Sequence, residues 1–375
     1  MNIDKLIFEN NQWIVQGKKE CISDSVNIIF VFGHIEILKQ YNHSLSLKKL
    51  YPNAHIVGCT SAGNILDTSI DEYPVVASAV SFKSARLSVK CKYINPNTLS
   101  EDTKFLVNEL DKKDLKHIFF LAPGMINGSE IIKGLKLKNN ITVTGGLAGD
   151  RSIFKDTYQF FDGEKGKNLA VVVGFYGKSI HIGIGCETGW KEFGASRIVT
   201  KSYKNTVYEI DHKPAVELYE KYLGDTIYDH LSSTLRFPLS VRDSLEDKNK
   251  VTRTIMSINQ DKSLVFAGNI REGSIVRLMK TNVSNVLDGA FLSAKKIRPY
   301  NNKRSLALII SCISRRSVLK QFCDEEIEIV QDILTPSAQT IGFYSYGEIA
   351  PFSNDLSKPL LHNQTMTITT IYEDV

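Results

Sequence analysis

Residues 58–65 (GCTSAGNI) and residues 342–349 (GFYSYGEI) share one pattern: a glycine, four residues, a second glycine, a polar residue and an isoleucine. Each stretch follows an apolar run and a helix-like segment. A looser third copy leads from residues 117–121 (HIFFL) to residues 143–150 (VTGGLAGD). The repeat predicts three strand–helix–strand units that end in glycine turns. In α/β proteins such strand ends are common ligand-binding positions.

The length of 375 residues predicts two domains, and 42% apolar with 23% charged residues is ordinary for a globular protein. The polar stretch at residues 201–205 is the best boundary, so we predict domains of residues 1–205 and 206–375. No Pro/Gly/Ser-rich linker separates them. We therefore expect the halves to pack together and to leave a cleft at their interface.

Alternating polar and apolar residues predict half-buried antiparallel strands at Arg86–Tyr93, Ser179–Gly185 and Thr365–Ile371. The continuous apolar run Ala170–Phe175 predicts a strand that is covered on both faces. Helical periodicity interleaves with these strands. The predicted class is mixed α/β (α+β), with two packed domains that each contain mixed β-sheets covered by helices.

Helical periodicity covers Ala215–Leu223 and Glu325–Leu334, among other segments. Ser129 and Asp324 are candidate N-caps, because their side chains can accept hydrogen bonds from the first turn of a helix. Gly224 lies where a C-terminal cap is expected.

Several function classes are disfavoured by composition. The formal net charge of +5 is spread along the chain, so we expect no nucleic-acid partner. No apolar run reaches the roughly 20 residues of a membrane span, and the N-terminal residues lack a signal-peptide pattern. These features predict a cytoplasmic protein without membrane insertion. The six cysteines form no Cys-x-x-Cys pair and the eight histidines show no metal-ligand spacing, so we expect no metal site.

Six motifs in succession resemble the signatures of the FIST family. They are Gly58–Gly63, Gly145–Asp150, Ile210–Ala215, Cys312–Arg315, Gly342–Ile349 and His362–Thr365. The order is that of a FIST N-terminal domain followed by a FIST C-terminal domain, and the resemblance covers nearly the whole chain. One departure is Asn64, because the family often has glutamate at this turn.

The resemblance implies a bacterial sensory or signal-transduction module, here in its stand-alone form. The family is thought to bind small ligands, with amino acids or their derivatives proposed. Its members also occur fused to kinases, cyclases or chemotaxis output domains, so the resemblance implies a signalling partner protein. Some members are described as haem-based nitric oxide sensors. We therefore expect no cofactor, with haem as the alternative.

Charged residues near the turns are candidates for ligand contact. Asp150 and Glu348 follow glycine turns, where a carboxylate can accept from a ligand ammonium or cap the local backbone. Arg315 follows an apolar run and could hold a ligand carboxylate with its bidentate fork. Cys312 is either a small buried side chain or a thiol whose pKa is lowered by Arg315.

Three further residues complete the candidate set. Tyr346 lies between two glycines and beside Glu348, which favours exposure to a pocket. Asn363 could donate to a ligand or brace the last strand. His362 is the candidate axial ligand if haem binds.

We therefore predict a small-molecule sensor, and not an enzyme, with its site beside the cleft between the halves. Arg315 would bind the anionic end of an amino-acid-like ligand, and Asp150 or Glu348 the cationic end. Two competing hypotheses are a cysteine-dependent enzyme that uses Cys312 or Cys59 and a structural adaptor that binds no ligand.

Overall fold

A computed structural model describes residues 1–137, 141–224, 227, 234–247, 249–297, 303–334, 337–352 and 355–374. Strands and helices interleave throughout, so the mixed α/β class is confirmed. Among these residues no helix has the length and apolar character that crossing a bilayer requires.

The strands of the first half of the chain lie mostly in two mixed sheets. In chain order they are β1 (Asn2–Glu9), β2 (Gln12–Gln16), β3 (Ile28–Gly33), β4 (His55–Thr60), β5 (Asn64–Leu66), β6 (Ser69–Ile70), β7 (Val75–Ser81), β8 (Arg86–Tyr93), β9 (Leu115–Ala122), β10 (Thr142–Leu147), β11 (Gln159–Phe161), β12 (Glu164–Gly166), β13 (Leu169–Tyr176) and β14 (Ile180–Thr188).

The strands of the second half complete two further sheets. They are β15 (Lys191–Glu192), β16 (Arg197–Tyr203), β17 (Thr206–Ile210), β18 (Lys213–Pro214), β19 (Leu239–Arg242), β20 (Val251–Arg253), β21 (Ile255–Ile258), β22 (Leu264–Phe266), β23 (Ile275–Lys280), β24 (Ser305–Cys312), β25 (Ala338–Ser345), β26 (Gly347–Phe352), β27 (Asp355–His362) and β28 (Thr365–Glu373).

The α-helices pack on the sheets through apolar faces. They are α1 (Ile35–Gln40), α2 (His43–Leu50), α3 (Leu99–Asn108), α4 (Gly128–Gly134), α5 (Ala215–Leu223), α6 (Val283–Lys295), α7 (Ile313–Leu319) and α8 (Cys323–Leu334). Gly224 ends α5 with φ +62°, which confirms the predicted C-cap. Both predicted N-caps are wrong. The side chain of Asn127 caps α4 by accepting from the amide of Ser129, and Asp324 lies inside the first turn of α8.

Three of the four sheets repeat one arrangement. The first has the order β12-β11-β4-β3-β7-β1-β2, the second β27-β26-β10-β9-β13-β8 and the third β14-β28-β24-β25-β5-β6. Among the described strands each contains a single parallel pair, which is β3 with β4, β9 with β10 and β24 with β25. The threefold repeat that the sequence predicts is therefore a structural repeat. The fourth sheet has the order β20-β19-β23-β16-β17-β22-β21, and it packs on α5.

The three repeated sheets exchange strands in a ring. After its turn, the first unit sends β5 to pair with β25 of the third sheet. The third unit sends β26 to β10 of the second sheet, and the second unit sends β11 to β4 of the first. Each sheet is therefore completed by a strand from a neighbouring unit.

The apolar core follows from strand alternation. Phe30 and Phe32 of β3, Phe119 of β9 and Phe343 of β25 share one cluster between the three sheets. The ring centroids of Phe32 and Phe343 are 4.7 Å apart. Intervening residues such as Ile29 face the opposite way and pack with a separate cluster beneath α1 and α2. Strands covered on both faces explain the continuous apolar runs in the sequence.

The alternating run at Thr365–Ile371 departs from its prediction. It forms β28, which is buried along its whole length between β14 and β24, so the half-buried prediction is wrong. The Thr369 hydroxyl donates to Thr144 of the second sheet over 2.7 Å. Hydrogen bonding of this kind lets a polar residue occupy a core position. By contrast, Arg86–Tyr93 is a partly exposed edge strand and Ala170–Phe175 is buried on both faces, as predicted.

The halves of the chain are interleaved. β5 from the first half belongs to the third sheet, and β26 from the second half belongs to the second sheet. The predicted domain boundary after residue 205 falls in the hairpin turn between β16 and β17, and it remains a prediction.

Candidate functional site

The three glycine turns meet, and we call residues 60–64, 147–150 and 345–348 the glycine-turn hub. Backbone hydrogen bonds run from Ala62 to Tyr344 O (2.9 Å), from Tyr346 to Leu147 O (3.0 Å) and from Gly149 to Thr60 O (3.0 Å). A Cβ at Gly149 would lie 2.6 Å from the backbone nitrogen of Ala62. Glycine is therefore required here by close packing of one turn against the next.

The hub contains three of the six ligand-binding residues that the sequence predicts, and all six are buried. The six predicted side chains have exposed fractions of 0 to 4%, and they are Asp150, Cys312, Arg315, Tyr346, Glu348 and Asn363. Buried polar groups need hydrogen-bond partners. Whether these residues are available to a ligand therefore depends on which partners they already have.

Asp150 caps its own loop. Its carboxylate accepts from the backbone amides of Phe154 (2.8 Å), Lys155 (2.7 Å) and Asp156 (3.0 Å). It also accepts a hydrogen bond from the hydroxyl of Tyr346. Burial, followed by the Asp150 contact, raises the pKa of this tyrosine. The structure brings these two predicted residues together, with the carboxylate in the backbone-capping role.

Arg315 forms a buried ion pair. Its Nε and Nη2 both lie 2.6 Å from Glu326 Oε1, and Nη2 also donates to Val286 O over 2.7 Å. Glu326 in turn accepts from the hydroxyls of Ser311 and Tyr344. The sequence predicts that this guanidinium binds a ligand carboxylate. In the structure it is paired instead with a carboxylate of the protein, that of Glu326.

Glu348 has the same position in the third glycine turn as Asn64 has in the first. Glu348 accepts from Ser345 Oγ (2.7 Å), and also from the amide (3.1 Å) and hydroxyl (2.9 Å) of Thr365. Asn64 likewise accepts from the serine three residues before it, Ser61. Burial raises the pKa of Glu348 to about 7 despite these hydrogen bonds, which favour the charged form.

Cys312 lies against Glu348. Burial, and then the nearby carboxylate, raises the pKa of the Cys312 thiol. This is opposite to the lowering by Arg315 that a nucleophile would require. Burial alone raises the pKa of Cys59 well above its usual range.

The turn between β27 and β28 holds the last predicted residues. His362 Nε2 lies 3.0 Å from Ala350 O, and the His362 ring packs edge-on against Phe352. Burial lowers the pKa of His362 to about 4, so its ring is neutral at pH 7. Iron ligation through Nε2 would require that hydrogen bond to break. Asn363 follows at the turn, and its Oδ1 is buried without a hydrogen-bond partner in the described part of the chain.

A separate cleft lies between the halves. It is bordered by α4 from the first half and by β19, β20 and β27 from the second, and we call it the α4 cleft. Its volume is about 350 Å³, within the size range of small-molecule sites. Its lining includes Lys133, Arg253, Asn269, Phe352 and Leu361. The expectation of a cleft at this interface is met, although the six predicted residues do not line it.

Arg253 is the distinctive residue of the α4 cleft. It is 5% exposed, its Nη1 donates to Thr252 O and Leu361 O, and its Nε donates to Asn269 O. Among the described residues no carboxylate pairs with it. Burial lowers its pKa to about 10. A buried guanidinium without a carboxylate is costly, and an anionic ligand would offset that cost.

Asn269 joins the two walls of the cleft. Its backbone amide donates to Ser129 Oγ over 2.9 Å, and its side chain contacts Asn127 and Glu130 at 2.7 Å. The loop that carries Asn269 thereby docks on the first turn of α4. Movement of this loop would change the width of the cleft.

Arg253 is not among the residues predicted from the sequence, although one signal was present. Arg253 stands between two threonines in a strand-like run, and the nearest acidic residue on each side in the sequence is Asp247 or Asp261. A charged residue inside such a run needs a partner from elsewhere in the fold. Only the tertiary structure shows that the described residues supply no carboxylate.

Comparison with known proteins matches this architecture to a family. The FIST N domain family matches residues 27–213 and the FIST C domain family matches residues 215–351. The chain belongs to the FIST family. FIST domains are generally regarded as sensory signal-transduction modules, and this FIST protein has the two domains in the order that its motifs predict.

Individual relatives of the FIST protein add little on function. An uncharacterized protein of Methanocaldococcus jannaschii is 25% identical over 350 residues, which cover 86% of this chain and 65% of that protein. The chain thus spans about two thirds of its relative's length. Among solved structures, a cyanuric acid hydrolase from A. caulinodans covers 94% of this chain and 91% of its own, at 6% identity and a TM-score of 0.36. That likeness is too low to carry an argument.

The described ranges contain no group of three or more His, Cys, Asp or Glu placed to hold a metal ion. The six cysteines are free thiols.

Proposed function

We propose that this FIST protein is a cytoplasmic sensory module that binds a small molecule in the α4 cleft without converting it. An amino acid or amino-acid derivative is the ligand class that the family resemblance suggests. The single observation that carries the proposal is Arg253, a buried cation that lines a cleft of about 350 Å³ and has no carboxylate partner among the described residues. Its Nε and Nη1 donate to backbone carbonyls within the described residues, so Nη2 is the nitrogen that remains to donate to a ligand carboxylate.

The position of the cleft supports a sensory role. Lys133 and Ser129 come from α4 in the first half, whereas Arg253 and Asn269 come from the second. A ligand that contacts both walls would favour one packing of the halves over others. A partner protein, such as a kinase or cyclase, would respond to that packing, which makes the ligand and the partner thermodynamically coupled.

The proposal is tested with full-length purified protein. Native mass spectrometry would identify small molecules that co-purify, and isothermal titration calorimetry would measure their affinity. We expect Arg253→Met to weaken binding strongly, because it removes the buried cation at similar chain length. The matched control is Arg277→Met, because Arg277 lies on β23 outside the cleft and contacts Gly194 O and Glu192.

Two results would contradict the proposal. Undiminished binding in a folded Arg253→Met protein would place the ligand elsewhere. Equal loss in both variants would show a general effect of removing an arginine. Because Arg253 donates to three backbone carbonyls, the folded state of each variant is checked by circular dichroism and thermal unfolding before titration.

A further inference from the structure

The charges around the α4 cleft are unequal. Four basic residues line it, which are Lys133, Arg242, Arg253 and Arg271, against two acidic residues, Asp243 and Asp247. Arg271 pairs with Asp243 at 3.1 Å, and Lys133 pairs with Glu130 of its own helix at 2.6 Å. These four paired residues therefore neutralise one another.

Two of the four basic side chains, both guanidiniums, take no part in these pairs. Among the described residues Arg253 donates only to backbone carbonyls, and Arg242 Nη1 contacts only Leu245 O at 3.3 Å. In the residues that the structure places, neither arginine forms an ion pair. Asp247 is the remaining acid, and its Oδ1 accepts from the backbone amide of Asn249 at 2.9 Å. The unpaired charges at the cleft therefore sum to a positive value.

Apolar side chains supply the rest of the wall. Ile132 comes from α4, Val251 from β20, Phe352 from β26, and Leu360 and Leu361 from β27. A ligand with only charged groups would leave these side chains without a complementary surface. The lining thus favours a short hydrocarbon segment next to a charged end.

We infer that the α4 cleft selects a small oxyanion with net negative charge and a short apolar segment, in preference to a ligand that is neutral overall. This inference rests on the proposed function, since it concerns the same site. A zwitterionic amino acid has no net charge, and its ammonium would meet two unpaired guanidiniums against the single carboxylate of Asp247. An acidic molecule brings a carboxylate or phosphate without that repulsion.

The test uses matched pairs that differ in charge more than in shape. Isothermal titration calorimetry at low salt compares glutarate with its diamide glutaramide, and glutamate with glutamine. Propyl phosphate tests phosphate as the source of the oxyanion. We expect the acid of each pair to bind about tenfold or more tightly than its neutral counterpart, as charge-assisted hydrogen bonds in a buried site do.

Variants assign the preference to the cleft. Arg253→Lys keeps the charge but removes the fork, and Arg242→Gln removes the more exposed guanidinium with a single carbonyl contact at stake. We expect both to reduce acid binding, and we expect Arg242→Gln, which removes a charge, also to narrow the difference within each pair. Arg277→Gln, outside the cleft, leaves both quantities unchanged.

The outcomes separate this inference from the proposed function. If the neutral member of each pair binds as tightly as the acid or more tightly, the charge preference is overturned. If that binding is also lost in Arg253→Lys, the sensory site itself remains in the α4 cleft. Absence of binding by every acid at millimolar concentration overturns the inference. Binding that no cleft variant changes removes the proposed function as well.

Discussion

Arg315 and Arg253 are both buried guanidiniums, but their surroundings differ. Arg315, beside the glycine-turn hub, contacts Glu326 through two nitrogens, and Glu326 is held by two further hydroxyls. Arg253, in the α4 cleft, contacts only backbone carbonyls within the described part of the chain. Arg315 therefore has its counter-charge within the protein, whereas a counter-charge for Arg253 would have to come from outside. Burial and charge are common to both arginines. They differ in whether a carboxylate of the described residues pairs with the guanidinium.

The largest effect is expected from Arg315→Met. Removing one member of a buried ion pair leaves Glu326 uncompensated, which costs about 3–5 kcal/mol of unfolding free energy. Urea unfolding followed by circular dichroism measures the loss. The double variant Arg315→Met/Glu326→Met should recover much of it, since neither charge of the pair then remains.

Ligand affinity in the same variants tests the comparison directly. We expect it to be unchanged in whatever fraction of Arg315→Met remains folded, because Arg315 does not line the α4 cleft. A stable variant that has lost its ligand would instead place the binding site near Arg315, one of the residues that the sequence predicts to contact the ligand.

The next effect concerns Glu348 and pH. The usual glutamate pKa of 4.5 is raised to about 7 in the folded state, so between these values the folded protein retains a proton that the unfolded chain has lost. The unfolding free energy therefore falls as pH rises through this window, by about 3 kcal/mol, and does not change further above it. Below pH 4.5 Glu348 is protonated in both states and contributes no slope.

Glu348→Gln isolates this contribution. It makes the third turn neutral, as Asn64 makes the first turn neutral. Subtracting the pH profile of the variant from that of the wild type should leave a decrease confined to about pH 4.5–7, because other groups cancel. Parallel profiles would show that Glu348 titrates normally and that its site is wetter than its burial indicates.

A smaller effect is expected on binding in Arg253→Met. Loss of a charge-assisted hydrogen bond to a ligand costs about 1.5–3 kcal/mol, or roughly 10- to 150-fold in Kd. Calorimetric titration of the co-purifying ligand gives this value. The stability of this variant should change less than that of Arg315→Met, since no carboxylate loses its partner.

The smallest effect is expected from Arg271→Gln at the rim. Its guanidinium and Asp243 are both exposed, so their pair contributes about 0–1 kcal/mol and is screened by salt. Ligand affinity should fall by less than about fivefold at low salt, and less still at high salt. A loss as large as that of Arg253→Met would mean that Arg271 contacts the ligand.

The sequence predicts the fold better than the site for a physical reason. The repeated apolar runs and glycine turns are local, and they directly predict the strand pairs β3–β4, β9–β10 and β24–β25, each ending in a glycine turn. The roles of Arg315 and Arg253 depend on which side chains the fold brings near them. Glu326 follows Arg315 by only eleven residues, yet its approach requires α7 and α8 to pack in a particular way.

The same limit applies to β28. Its alternating threonines have the pattern of a half-exposed strand, and the partner that satisfies the buried Thr369 hydroxyl lies on another sheet. Thr144, that partner, lies more than two hundred residues earlier in the sequence.

The ring of exchanged strands joins the two family regions through shared sheets. If the chain were cut between residues 213 and 215, β10 would lose β26 on one fragment and β25 would lose β5 on the other. Each fragment would then carry an unprotected sheet edge, which invites self-association. Co-expressed fragments should instead reassemble by returning these strands to their places. We expect the three interlocked sheets to unfold together, because each contains a strand that another unit supplies.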